Sequence, residues 1–169
     1  MDLSQVYREH YRSLVRFLYR RIGDQARAED LAQEAFVRAL EHQPDQPRAW
    51  LFTVAANLAR DEGRRSSVRR RHLTLIKAEA EAQPPDPGPE VALERREAVQ
   101  KVRAALDKLS DRDREALLLW EEGFNYDEIA NVLGLSRGSV GTTLARARTR
   151  LAAAYEEIET EGSDEDVAH

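Results

Sequence analysis

The chain has 169 residues, of which 41% are hydrophobic and 34% charged, a balance that allows one medium or two small folded, soluble domains with modest cores. It contains no cysteine, which excludes a structural disulfide, a thiolate zinc site and direct thiol redox sensing. The net charge of −5 is unevenly spread: residues 1–72 hold 14 Lys and Arg against 10 Asp and Glu, whereas residues 156–169 hold seven acids and neither Lys nor Arg.

In chain order the pattern is helical throughout, so an all-α fold of two small domains is expected. The N-terminal MDLSQVYREHYRSL lacks a continuous apolar stretch and does not read as a signal peptide. No run of 18 apolar residues follows it, and a cytoplasmic location is expected. Leu14, Phe17, Leu18 and Ile22 mark one face of a first helix that starts near Leu3, and Gly23-Asp24 breaks it. Leu31, Ala35, Phe36, Ala39 and Leu40 form a second stripe. The segment His42–Pro47 reads as a turn with two prolines. A third helix opens at Pro47, a residue suited to a first helical turn, and Trp50, Leu51, Val54 and Leu58 give its buried face. Its basic end carries Arg60, Arg64, Arg65, Arg69, Arg70 and Arg71. Such a cluster can neutralise phosphates, although cations at a helix C-terminus also suit the macrodipole.

Four prolines and a glycine lie within Gln83–Pro89, which cannot continue a helix. Residues 73–95 therefore read as a flexible linker, between a first module at 1–72 and a second at 96–155. In the second, Val99, Val102, Leu106 and Leu109 form one stripe. Ser110 suits an N-cap for the helix carrying Leu117 to Trp120, and Gly123 ends that helix. Asn125 to Glu128 has the spacing of a capping box. Ile129, Val132 and Leu133 give the following helix its apolar side. Gly134-Leu135-Ser136 is a turn before a last helix lined by Val140, Leu144, Ala147 and Leu151. Residues 156–169 read as an acidic tail, disordered from Gly162 onward.

Residues 125–151 have helix-turn-helix spacing, with Gly134 supplying the left-handed residue of the turn. The second helix can enter a major groove with its N-terminal exposed residues near base edges. An ordinary helical hairpin has the same spacing. Gly138 and Gly141 weaken this helix by up to about 1 kcal/mol each; they either permit close approach to a backbone or are tolerated through packing. In the second predicted helix, Asp30, Gln33 and Glu34 share a polar side, which by pattern alone is a solvated face. The histidines His10, His42, His72 and His169 are scattered, so neither a metal nor another cofactor is expected. No phosphate loop, cysteine nucleophile or serine elbow is present, and no enzymatic activity is expected. The acidic tail follows directly on the helix bearing Arg146, Arg148 and Arg150. It could compete with phosphate for them, or serve as a solubilising end.

Taken together these segments resemble the extracytoplasmic-function branch of the sigma-70 family of RNA polymerase sigma factors, over residues 3–72 and 97–152. AEDLAQEAFVRAL at 28–40 resembles region 2.2, and RAWLFTVAANLARDEGRR at 48–65 resembles regions 2.3 and 2.4. Residues 106–151, from LDKLSDRDREALLLW to the end of ARARTRL, resemble region 4. The resemblance implies a subunit that binds core RNA polymerase through the beta-prime clamp and the beta flap, and directs promoter recognition and melting. It implies clamp contacts for Asp30, Gln33 and Glu34. It implies contacts to the −10 element for His42, Arg48, Asn57, Asp61, Arg64 and Arg65, with the loop from His42 to Arg48 holding a flipped base. Arg69, Arg70 and Arg71 would meet phosphates, and Arg137, Ser139, Thr142 and Arg146 the −35 duplex. An anti-sigma factor is a further implied partner. Gly141 stands where the family often has a basic residue. Two other readings, a helix-turn-helix repressor acting without polymerase and a protein-binding adaptor, each account for only part of the chain.

Overall fold

A computed structural model of the chain describes residues 1–65 and 89–167. All regular structure among the described residues is helical: α1 (Leu3–Ile22), α2 (Gln25–His42), α3 (Pro47–Arg65), α4 (Pro89–Asp107), α5 (Asp111–Glu121), α6 (Tyr126–Leu133) and α7 (Arg137–Val167). The boundaries follow from local chemistry. The Asp2 carboxylate accepts from the Ser4 and Gln5 amides at the start of α1. Gly23, at φ 79°, closes α1, and Asp24 caps α2 through the Arg27 amide. Ser110 caps α5 through the Asp113 amide. Asn125 and Glu128 complete a reciprocal capping box on α6. These interactions satisfy amide groups that a helix start otherwise leaves without partners.

The helices α1, α2 and α3 pack around Leu14, Phe17, Leu18, Ala35, Leu51 and Phe52, all fully buried. The helices α5, α6 and α7 pack around Leu119, Ile129, Val140 and Leu144, equally buried, and α4 lies along α7. The buried apolar side chains of both groups belong to one continuous core. Phe52 joins the two. Its ring lies 5.2 Å from Phe17 and 4.8 Å, edge-on, from Phe124.

The structure departs from the sequence reading at several places. Leu40 lies on the exposed side of α2, and Val99 and Val102 are exposed on α4. Of the stripe Val99–Leu109, Leu109 is buried and Leu106 packs against the core, while Ala105 is the residue that α4 itself buries along α7. Residues 89–95, assigned to the linker, form the first two turns of α4, with Pro89 at the first helical position, where its missing N–H costs nothing. The acidic tail is helical through Val167 where disorder is expected. Ala154 just before it is buried and Ile158 within it half-buried, and Lys108, in the turn after α4, reaches Glu157 at 3.3 Å. Arg69, Arg70, Arg71 and His72 lie outside the described residues.

Truncation of Phe52 to alanine should cost about 3–5 kcal/mol, because it opens a cavity between both halves of the core. Leu40→Ala should stay within about 0.5 kcal/mol, the usual range for an exposed site. Urea unfolding midpoints of the two variants measure the contrast.

Candidate nucleic-acid interface

Three surfaces contain the residues singled out from the sequence. On α2, Asp30, Gln33 and Glu34 are all exposed on one side. Asp30 pairs with Arg27 at 3.1 Å and Glu34 with Arg38 at 2.7 Å. Both are exposed pairs within the helix, which contribute little to stability.

The second surface runs from the α2–α3 turn along α3. His42 is exposed and stacks on Trp50, with ring centroids 5.2 Å apart and planes 15° from parallel. Gln43 takes a left-handed conformation (φ 53°) that turns the chain toward α3. Asn57 and Asp61 are exposed one turn apart on α3. Arg27 forks both carboxylate oxygens of Glu62, at 2.7 and 2.6 Å, and so ties the start of α2 to the end of α3. Arg64 and Arg65 form the last residues of α3.

Sequence reasoning missed that the two halves meet, through α1 and α3. Arg48 donates to Glu128 and to the Glu122 carbonyl, each at 2.9 Å, while its guanidinium lies 3.8 Å from the centre of the Phe124 ring. Glu115, fully buried on α5, accepts from Arg21 of α1 and is forked by Arg60 of α3. Arg21 also donates to Asp111 at 2.7 Å. Glu122 is forked by Arg16 at 2.8 and 2.7 Å. In every one of these pairs the cation belongs to the first half and the acid to the second. Charge complementarity between distant segments leaves no periodic signal in sequence, so only the fold brings it into view.

The third surface is the α6–turn–α7 unit. Gly134 sits at φ 66° and its amide donates to the Ala130 carbonyl, so the turn uses the left-handed conformation that glycine adopts most easily. Ser139, Thr142 and Arg146 are exposed and share one side of α7 by helical spacing. Arg137, at the start of α7, pairs with Asp127 at 3.0 Å and remains open to solvent. The two glycines differ. A Cβ at Gly138 would meet open space, whereas one at Gly141 would lie 3.4 Å from the Tyr126 ring. Gly141 therefore lets α6 approach α7.

Two family models match this chain, Sigma-70 region 2 over residues 6–69 and Sigma-70 region 4 over residues 99–151. The RNA polymerase sigma factor YlaC of Bacillus subtilis is 34% identical over 156 residues, spanning 89% of this chain and 90% of its own. The ECF RNA polymerase sigma factor SigL of Mycobacterium tuberculosis is 33% identical over 173 residues, spanning 92% and 90%. The chain belongs to the extracytoplasmic-function branch of the sigma-70 family. As a sigma factor it binds core RNA polymerase and promoter DNA and directs promoter recognition and transcription initiation. Family membership supports a non-enzymatic role. In structure this sigma factor resembles the Bartonella quintana sigma factor RpoE, solved in complex with the anti-sigma factor NepR. The match has a TM-score of 0.63 and 26% identity, and covers 92% of this chain and 97% of that one. Among the described residues no helix is long and apolar enough to cross a membrane.

Two ionic sites of the sigma factor give distinct expectations. Glu115→Ala removes the buried acceptor shared by Arg21 and Arg60, leaving Arg21 only Asp111, and should destabilise the chain by about 3–5 kcal/mol, read by denaturant unfolding. Asp113, buried on α5, accepts from Arg146 and Arg150. Burial alone would raise its pKa, but the hydrogen bonds and charges of the two arginines outweigh it and hold the carboxyl below its usual range. A folded pKa below the unfolded value of about 3.9 stabilises the fold above that pH. The contribution disappears as pH falls through the folded pKa. Asp113→Asn should therefore show a flatter stability profile below about pH 4 than the wild type, measured by thermal unfolding across pH.

Proposed function

We propose that the two halves of this sigma factor divide promoter recognition between them. The first docks on the beta-prime clamp through Asp30, Gln33 and Glu34. It meets the −10 element through His42, Arg48, Asn57, Asp61, Arg64 and Arg65, with Arg69, Arg70 and Arg71 on phosphates. The second docks on the beta flap and meets the −35 duplex through Arg137, Ser139, Thr142 and Arg146. The observation that carries this reading is the exposure of Asp30, Gln33 and Glu34 together on α2, on the same chain as a helix-turn-helix unit whose second helix exposes Ser139, Thr142 and Arg146. A repressor acting without polymerase would need only the second unit. Small and hydroxylated side chains on α7 suit close approach to a groove, and the exposed arginines suit base edges and phosphates.

The stacked His42–Trp50 pair gives the α2–α3 turn a flat aromatic surface at the start of α3, next to Arg48 in sequence. Such a surface suits an unstacked base and its backbone. Because Arg48 and Arg60 are held by acids of the second half, we read the closed arrangement as a resting form. Promoter and polymerase engage the chain with its halves apart. An anti-sigma factor is a fitting partner, since the similar B. quintana sigma factor was solved bound to one. The site of action is the cytoplasm, where polymerase works.

Reconstitution with core polymerase, followed by transcription from a promoter library, tests the whole reading. The docking assignment has a narrower test. Lysine at both Asp30 and Glu34 reverses the charge of an exposed face and should weaken core binding at least tenfold. The unfolding temperature should change by no more than about 2 °C, as for other surface changes. Unchanged core affinity would leave α2 as a solvated face.

A further inference from the structure

Two acids outside α7 pair with its arginines, the exposed Asp127 of α6 and the buried Asp113 of α5. Asp113 is fully buried. Its two oxygens are divided between two arginines of α7: Arg146 donates to Oδ1 at 2.9 Å and Arg150 to Oδ2 at 2.8 Å. The acidic tail, by contrast, continues the axis of α7. Glu157 is eleven residues beyond Arg146, about 16 Å along the helix at about 1.5 Å per residue, and it turns to Lys108.

Asp113 is itself rigidly placed. It occupies the first turn of α5, where the Ser110 hydroxyl accepts from its amide at 3.2 Å. Next to it, Arg114 donates to the carbonyls of Leu106, Asp107 and Leu109 and fixes the turn between α4 and α5. A carboxylate in this first turn also lies at the positive end of the α5 dipole. The partners are half-exposed: the side chains of Arg146 and Arg150 keep 45% and 55% of their accessible surface. Each uses a single nitrogen on Asp113 among the described contacts. Every guanidinium has five N–H donors in a fixed planar fork, so the outward edges stay open to a ligand while the inward edge is held. One negative charge serves two positive ones, and the corner remains cationic overall.

We infer that Asp113 is a specificity-determining positioning residue for the −35 duplex: its buried carboxylate fixes the direction in which Arg146 projects from α7, and keeps Arg146 and Arg150 from settling on phosphates without regard to sequence. This rests on the reading of Arg146 as a contact to bases. A long arginine without such an anchor reaches phosphate oxygens as readily as base edges, and phosphate contact carries no sequence information. Holding the fork in place limits it to one set of acceptors and reduces the rotamer freedom lost on binding.

The test uses holoenzyme assembled from the full chain and core polymerase. The probes are promoter duplexes carrying the −35 sequence selected by the wild-type protein, and the same duplexes with single-base changes. Binding is measured over a range of salt. Asp113→Asn should reduce the preference for the selected sequence about tenfold while leaving affinity for the substituted duplexes equal or higher. The slope of log K against log salt should steepen by about 0.9 for each arginine that gains a phosphate. In an Arg146→Gln background, Asp113→Asn should remove no further preference. If Asp113→Asn fails to fold, Asp113→Leu releases the same arginines and fills the buried site with an apolar side chain, a replacement that buried charged sites often tolerate.

A purely structural Asp113 gives a different result: weaker binding to every duplex by a common factor, with an unchanged salt slope. That outcome overturns the inference, as does a further loss of preference in the Arg146→Gln background. If Arg146→Gln alone leaves preference intact, the base-reading assignment of Arg146 fails. If that variant loses preference while Asp113→Asn retains it, only the positioning role fails.

Discussion

A single buried carboxylate, Glu115, holds the two halves of this sigma factor in register. Removing an acid from water costs several kcal/mol even after relaxation, and only close, well-aligned cations offset it. Here the cations come from two helices of the other half, Arg21 of α1 and Arg60 of α3. The position of α5 is therefore dictated by α1 and α3 together. Phe124 then meets Phe52, Glu122 meets Arg16, and Glu128 meets Arg48. A different docking of the halves would strand Glu115 in an apolar site, so this acid selects one arrangement among many that apolar packing alone would permit.

The same logic of acid against arginine recurs inside the second half. Glu115 faces out from α5 toward the partner half, and Asp113, two residues earlier, faces α7. Neighbours two apart on a helix point in different directions, so one short helix presents a buried anion to each side. α5 thereby sets both the docking of the halves and the seat of α7. Its own N-terminus, capped by Ser110, is the fixed point for both.

Much of this was legible in the sequence. Helix ends were, because capping is local: Gly23, Ser110, the Asn125–Glu128 box and Gly134 act within four residues of themselves. Most core stripes were as well, since Leu14, Phe17, Leu18, Ile129 and Val140 keep strict helical spacing. Leu40, Val99 and Val102 misled because spacing marks a face without saying whether anything covers it. The tail misled because acidic composition implies solvation, and solvation is compatible with a helix continued from a packed one. The ionic contacts between the halves were invisible, since Arg21 and Glu115 are 94 positions apart. For the same reason the pairing of Arg146 with Asp113, 33 positions away on α5, left no trace in the sequence.

Arg48 is held in common by two competing equilibria. It bonds Glu128 and the Glu122 carbonyl when the halves are together, and it is the cation assigned to the promoter when they are apart. The apparent affinity of any ligand that needs the open chain is its intrinsic affinity multiplied by the open fraction. A closure favoured by about 2.7 kcal/mol, or about 100 to 1, would weaken every such encounter by about two orders of magnitude. Core polymerase that binds only the open chain raises that fraction for DNA as well, so the two ligands assist each other without touching. The reciprocity is obligatory: DNA must strengthen polymerase binding by the same factor. On the proposed reading such a subunit would reach promoters chiefly as part of a holoenzyme, because the charge proposed to grip DNA is the one that holds the two halves together.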